Sequence, residues 1–397
     1  MARMISEPAR EIPVLAEADV LVVGGGTAGF PAAVAAARAG ADVLLVERYG
    51  YVGGASSGGL VITIPEDRQG VYTREVEERL IDCKGGRLMP EHQSFGSVWD
   101  PEMLKWLGLT MLEEAGVRML HHSWAVATLV EDGVAQGIVV ESKSGRGVVL
   151  GKVLVDCTGD ADIAAFSGVP FEKGDADGEM LGVTMMFMML GVDETQFLEA
   201  RGEVDPAHRL PACATRLHPG ELNMWSRRLM GIDGTDPWDL TRCENELRKQ
   251  VFVWAAWARE NWPGCERAHV AMTSPQLGVR ETRRIVGDYM VTQADWDAER
   301  VFEDHIGYAY EGKSIPYRCL VPQGVENVLV AGRCISTDHR VQDPMRIIPP
   351  CMMTGHAAGE AAAQAVNDGM SPRELDVPKL QARLKNLGVS FPDPVLA

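Results

Sequence analysis

The stretch from Asp19 to Gly59 constrains the chain most: DVLVVGGGTAGFPAAVAAARAGADVLLVERYGYVGGASSGG. An apolar run, Val20 to Val23, has the length and composition of a buried parallel strand. It stops at Gly24-Gly25-Gly26, and Gly24, Gly26 and Gly29 fill the pattern G-x-G-x-x-G. An alanine-rich helix is predicted to run to about Ala39, with Gly40 as its left-handed terminal cap. A second strand, Asp42 to Val46, ends on the acid Glu47. Each part has a mechanical task in holding a dinucleotide. Gly24 allows the tight turn, and Gly26 lets the backbone approach a pyrophosphate. Gly29 lets helix and strand pack, and the helix N-terminus faces the phosphate charge. Glu47 stands where a carboxylate binds ribose hydroxyls.

The pattern alone does not separate FAD from NAD. After Glu47, five of the ten residues from Gly50 to Gly59 are glycine. Such a segment is either a flexible loop or a second wall of the site, where side chains would collide with a ligand.

The 397 residues suffice for two domains, or for one interrupted by another. A formal charge of −18 makes nucleic acid and anionic membrane poor partners. The eight cysteines are scattered, which speaks against a metal, cluster or dithiol site built from neighbours, so no metal is expected. No apolar core flanked by basic residues opens the chain, and no run approaches membrane-spanning length. The expectation is a reduced, cytoplasmic protein.

Residues 1–17 read as a leader with Pro13 as a breaker. Helices are predicted near Thr73–Lys84 and over Pro101–Ala115, the second stopped by Gly116. Short alternating strands follow at Val117–His122, Ala125–Glu131, Gly137–Ser142 and Gly147–Leu150, a β-meander inserted into the larger sheet. They lead into a further apolar strand, Lys152 to Asp156, and a Gly-Asp turn. The methionine-rich run Gly182–Leu190 reads as a buried strand, and Trp254, Trp257 and Trp262 as core. The nucleotide theme returns with a strand, Asn327–Ala331, then Gly332-Arg333 and an alanine-glycine helix from about Cys351 to Val366. A short amphipathic helix precedes Gly388.

Four blocks carry a family resemblance. They are VVGGGTAG through Glu47 and Gly53-Gly54, then VDCTGDAD at Val155–Asp162, then Gly278–Arg284, then Ile315–Cys319 through NVLVAGRCISTDHRVQDPMRIIPPCMMTGHAAGEAAA. In these the chain resembles the FAD-dependent oxidoreductases of the glutathione-reductase-like superfamily and, more distantly, fumarate reductase flavoproteins. The resemblance implies an α/β fold: a Rossmann-like FAD-binding domain, its parallel sheet carrying the meander, interleaved with an α+β substrate domain. The FAD-binding domain would take residues 1–60, 117–167 and 322–397, and the substrate domain 61–116 and 168–321. The returning C-terminal strand and helix favour FAD over NAD, since in this superfamily they close over the flavin. By the same resemblance Gly53, Gly54 and Ser56 line the pyrophosphate or flavin. Gly159 and Asp160 close the adenine side, and Gly332 and Arg333 meet the flavin phosphate. Thr27, Ala28, Arg48, Pro349 and Met352 join this cofactor set. No histidine lies between Asp19 and Gly59, so non-covalent FAD is expected.

A flavin exchanges a hydride, and the protein must manage one proton. His339, in Ser336-Thr337-Asp338-His339-Arg340, is the proton-transfer candidate, with Asp338 beside it to tune it. Arg346 and Arg280 are candidates for gripping a carboxylate or polarising a carbonyl. Tyr317 is a lesser hydroxyl donor. Three functions stay open: an oxidoreductase acting on a small polar molecule, a flavin isomerase or lyase without net redox change, and a non-catalytic FAD-binding scaffold. An external electron donor or acceptor is unidentified, and self-association is left open.

Overall fold

The computed structural model describes residues 4–6, 8–65, 70–89, 95–200 and 218–391, so Cys213 and the last six residues lie outside the description. A seven-stranded sheet contains β1 (Val14–Val23), β2 (Val43–Val46), β3 (Arg118–Leu120), β4 (Trp124–Glu131), β5 (Val134–Ser142), β6 (Gly145–Asp156) and β7 (Val328–Val330). Its order is β3-β2-β1-β6-β5-β4, with β7 beside the end of β6. Strands β3, β2, β1, β6 and β7 pair in parallel, whereas β4, β5 and the first half of β6 form an antiparallel meander.

Three sequence expectations change here. Strand β1 begins at Val14, inside the expected leader, because Val14 already pairs with Val148. The two runs Gly147–Leu150 and Lys152–Asp156 are one strand. Its first half pairs with β5 and its last residues with β7, while β1 holds the opposite edge of both. The run Val117–His122 stays out of the meander: its centre, β3, lies parallel to β2 at the far edge of the sheet. It follows the helix Pro101–Glu114, the kind of crossover that a parallel neighbour requires.

Helix α1 (Gly29–Arg38) links β1 to β2 and is followed by Gly40 at φ +96°. Helix α2 (Pro237–Asn261) starts at an Asp236 cap. Helix α3 (His339–Met345) and helix α4 (Ile348–Asp368) follow β7. The prolines Pro349 and Pro350 sit in the first turn of α4, where a missing amide costs no helical bond. Helix α4 therefore starts three residues before the predicted Cys351. It is buried along most of its length and crosses α1 with almost no side-chain spacing. A Cβ on Gly355 would stand 2.1 Å from the Ala28 carbonyl oxygen, and one on Gly359 2.2 Å from that of Ala32. The glycines fix how the C-terminal helix lies on the first one.

The methionine-rich run forms the strand Met186–Leu190, central in an antiparallel sheet with Glu221–Trp225 and His269–Thr273. Helix α2 buries Cys243, Leu247, Val251, Ala255 and Ala258 with this sheet in a second core. Trp262 meets Trp254 and Trp257 edge-on at centroid distances of 5.6 and 6.3 Å, so the tryptophans pack that core. Leu104, Leu107 and Met111, in the segment assigned to the substrate domain, are buried in the main core. Among the described residues no helix is long and apolar enough to cross a membrane.

Candidate active site

Strands β1, β2, β6 and β7 all end at one cleft of about 360 Å³, lined by Val23, Val46, Cys157 and Ala331 and by the turns that follow them. Ligands bind open parallel sheets at this carboxyl edge. The lining also takes Leu240 and Glu244 of α2 and the segment Pro275 to Leu277 with Val279, of which Leu277 and Val279 pack against the second core.

The three glycines of the first turn do different work. Gly24 has φ +93°, and a Cβ there would lie 2.6 Å from the Cys157 carbonyl oxygen. A Cβ on Gly29 would lie 1.7 Å from the Gly24 oxygen. These two let strand, turn and helix close on one another. Gly26 differs: its Cβ would meet nothing nearer than the Gly54 Cα at 3.9 Å, so its open side faces the cleft. Beside it, α1 has no side-chain cap and no acid in its first turn, and the same holds for α4. Two uncapped helix N-termini therefore border the cleft, where Ala28 and Cys351 are part of the lining.

The Arg48–Gly59 segment forms a wall. Thr27 Oγ1 donates to the Gly53 carbonyl at 3.3 Å, and Gly54 packs on Gly26. Glu47 accepts from the Gly25 amide at 2.6 Å and from the Tyr49 amide at 2.8 Å. The Arg48 guanidinium stands 4.9 Å over the Tyr49 ring and 5.6 Å over that of Trp124, and all three line the cleft.

After β6, buried Asp156 accepts from the Thr158 amide, the Thr158 hydroxyl and the Ala164 amide, at 3.1, 2.7 and 3.0 Å. Burial pushes this carboxyl up to about 6. It pins the Thr158–Asp162 turn. Asp160 accepts from Arg333 at 2.6 Å and from Thr282 at 2.7 Å. Burial acts to raise its pKa, but Arg333 and Thr282 outweigh this and hold it below the usual carboxylate range. Arg333 Nε is buried without a partner.

Of the expected cofactor residues, Gly24, Gly26, Thr27, Ala28, Glu47, Arg48, Gly54, Gly159, Asp160, Gly332 and Arg333 line this cleft. Gly29, Gly53, Ser56, Pro349 and Met352 do not. Gly29 and Gly53 support the lining turns, Ser56 is buried with an unpartnered hydroxyl, and Met352 accepts from Thr73 at 3.6 Å. Sequence reasoning missed Thr158, Tyr49, Trp124, Gln276 and Cys351 as lining residues. Thr158 and Cys351 belong to the segments that carry the family resemblance; Trp124 falls one residue before the expected strand Ala125–Glu131, at the first position of the observed one.

Among the catalytic candidates, Arg346 alone lines the cleft. Its Nε donates to Asp343 at 3.0 Å. His339 heads α3, and its Nδ1 lies 3.0 Å from Glu281. The carboxylate beside it is thus Glu281, not Asp338, which instead caps α3 and accepts from the Gln293 amide. Arg280 is buried, does not line the cleft and donates to the Gly182 carbonyl at 2.5 Å. Tyr317 is excluded as a donor to substrate, because its buried hydroxyl is committed to the Pro372 carbonyl at 2.8 Å.

The profile of the FAD dependent oxidoreductase family matches residues 19–313 and 308–384. The chain belongs to the FAD-dependent oxidoreductase family. It is an enzyme of that family, and FAD is its cofactor. The cleft fits FAD on three counts: the open face of Gly26, the two uncapped helix ends and the unpartnered Arg333 Nε. Two digeranylgeranylglycerophospholipid reductases of Methanopyrus kandleri, numbered 2 and 1, are each 33% identical, over 152 and 154 residues. The matches cover 36% of this chain and 38% and 40% of those proteins, so they span about two fifths of the curated relatives. A triple mutant of the flavin-dependent brominase Bmp2 superposes with a TM-score of 0.51 at 15% identity, covering 93% of this chain and 84% of that one. BexE, studied for oxidation during BE-7585A biosynthesis, gives 0.52 at 14% identity, covering 94% and 67%. These likenesses are of fold.

Proposed function

We propose that this oxidoreductase moves a hydride between FAD and a small polar organic molecule. The reacting carbon bears hydrogen next to oxygen or nitrogen, or belongs to an activated double bond. The observation that carries the reading is Arg346, a cationic side chain in the same cleft as the glycine turn and Arg333. Bound FAD supplies the two-electron acceptor or donor. The chain's own part is to hold the pyrophosphate against Gly26 and the helix ends, to orient the substrate with Arg346, and to move the proton that accompanies the hydride.

We assign that proton to His339. Glu281 engages its Nδ1, which leaves Nε2 for the substrate or a water next to it. The names of the curated relatives indicate reduction, and the proposal covers either direction. The substrate domain is taken as residues 168–321 together with 61–116, interleaved with the FAD-binding segments in a glutathione-reductase-like arrangement. FAD is held without a covalent bond, in a cytoplasmic protein that relies on an external electron partner.

The test is the absorption spectrum of the purified protein before and after acid precipitation, followed by anaerobic reduction with pools of alcohols, amines and sugars. Flavin bands that move into the supernatant, and bleach with one pool, support the reading. A protein that stays colourless with added FAD defeats the reading, and the glycine turn is then a nicotinamide site or part of a scaffold without flavin. Turnover without any external acceptor moves the assignment to an isomerase or lyase.

A further inference from the structure

The run Arg280-Glu281-Thr282-Arg283-Arg284 contains two buried arginines with opposite circumstances. Arg284 is paired with the fully buried Glu281 and donates to the Thr337 and Gly174 carbonyls. This is how a fold accommodates a buried guanidinium, since an uncompensated buried charge is strongly destabilising. Arg280 is 9% exposed, and among the described residues no carboxylate pairs with it. It has one carbonyl, that of Gly182, and the face of Trp225 at 5.8 Å. Its charged neighbours are mostly cations. Burial first, then Arg346 and Arg228, push it down to about 10, and Asp343 only partly opposes them.

Gln342 joins the two backbone segments that carry Arg280 and Arg346. Its side-chain amide donates to the Arg280 main-chain carbonyl at 2.9 Å, and its main-chain carbonyl accepts from the Arg346 main-chain amide at 3.0 Å, the ordinary bond of a helical turn. The Arg280 backbone is therefore held one helical turn from Arg346, which stands on the cleft wall. Among the described residues Arg346 has only the half-exposed Asp343 as its acid. Asp343 is one acid against two guanidiniums, and the surplus cation favours a further planar anion that accepts two-point hydrogen bonds.

Building on the hydride-transfer reading, we propose that the substrate carries a carboxylate and that Arg280 and Arg346 hold it. The reacting carbon is then the one next to the carboxylate or one bond further along. The cofactor's own phosphates are the other source of such an anion. Their cradle is the Gly26 turn with Arg333, on different residues.

The experiment uses the FAD-loaded protein with succinate and benzoate, and with succinamide and benzamide as uncharged counterparts, at constant ionic strength. Two signals are read: the melting temperature and the perturbation of the flavin absorption bands. The carboxylates are expected to raise the melting temperature and shift the bands, with little response to the amides. Arg346→Gln and Arg280→Gln should each weaken carboxylate binding roughly tenfold or more, the usual loss of a charge-assisted pair. Arg346 lies at a helix end beside a half-exposed partner, so its variant serves if Arg280→Gln does not fold. Equal responses to acids and amides, or carboxylate binding unchanged in Arg346→Gln, would overturn the proposal. A variant that loses FAD while its apoprotein still binds carboxylates would instead assign the arginines to the cofactor's phosphate. A protein reduced only by uncharged molecules defeats this inference and spares hydride transfer, whereas one that never binds FAD defeats hydride transfer itself.

Discussion

The Glu47 carboxylate accepts a 2.6 Å hydrogen bond from the Gly25 amide, tying the end of β2 to the glycine turn that ends β1. Glu47 thereby holds the turn in shape while lining the same cleft. Replacing it with alanine removes an acceptor for two backbone amides, a change worth about 1–3 kcal/mol at a buried site. Glu47→Ala is expected to bind FAD roughly ten- to a hundredfold more weakly, with Glu47→Gln in between. Fluorescence titration of apoprotein with FAD measures this; an unchanged affinity would remove Glu47 from the site.

Gly26 is the glycine whose side facing the cleft is open. Gly26→Val fills that space with branched carbons, and the protein should purify without flavin while keeping its circular dichroism spectrum. Bands at ~450 nm, the signature of bound flavin, would count against the pyrophosphate position.

His339 is engaged by Glu281 and does not line the described cleft. If it carries the proton, His339→Ala keeps its FAD and loses about 10²- to 10⁴-fold in turnover, the usual range for a positioned acid or base. Glu281→Gln should shift the pH dependence of the rate. Wild-type turnover in the alanine variant would make the histidine structural.

Two buried histidines predict acid sensitivity. Burial pushes His305 down to about 4 and His356 down to about 3, below the ordinary value near 6.5. Depressed histidines add stability that is complete above pH ~6.5 and lost as pH falls toward the folded values. Asp156, raised to about 6, works the other way and relieves part of that loss between pH ~6 and ~4. Unfolding free energies should therefore drop from pH 7 to pH 5, by up to about 2 kcal/mol per histidine less the part that Asp156 offsets. In His305→Gln the slope should be shallower. A flat pH dependence in the wild type would show that neither histidine is held neutral.

The sequence by itself determined the cofactor end of this protein. Strand, glycine turn, helix and Glu47 are contiguous, so their geometry follows from local backbone chemistry, and Gly24, Gly26 and Glu47 fall where the spacing puts them. The second nucleotide segment, β7 to α4, was legible for the same reason. Tertiary structure decided what depends on residues far apart in the chain. Glu281 lies 58 positions from His339, so which carboxylate engages the histidine follows from the packing of α3 on the 280s segment and not from the neighbouring Asp338. Likewise, nothing in the run Arg280–Arg284 says which arginine finds an acid. The buried Glu281 neutralises Arg284, and Arg280, held over Trp225 beside Arg346, is left with a charge that no described side chain cancels.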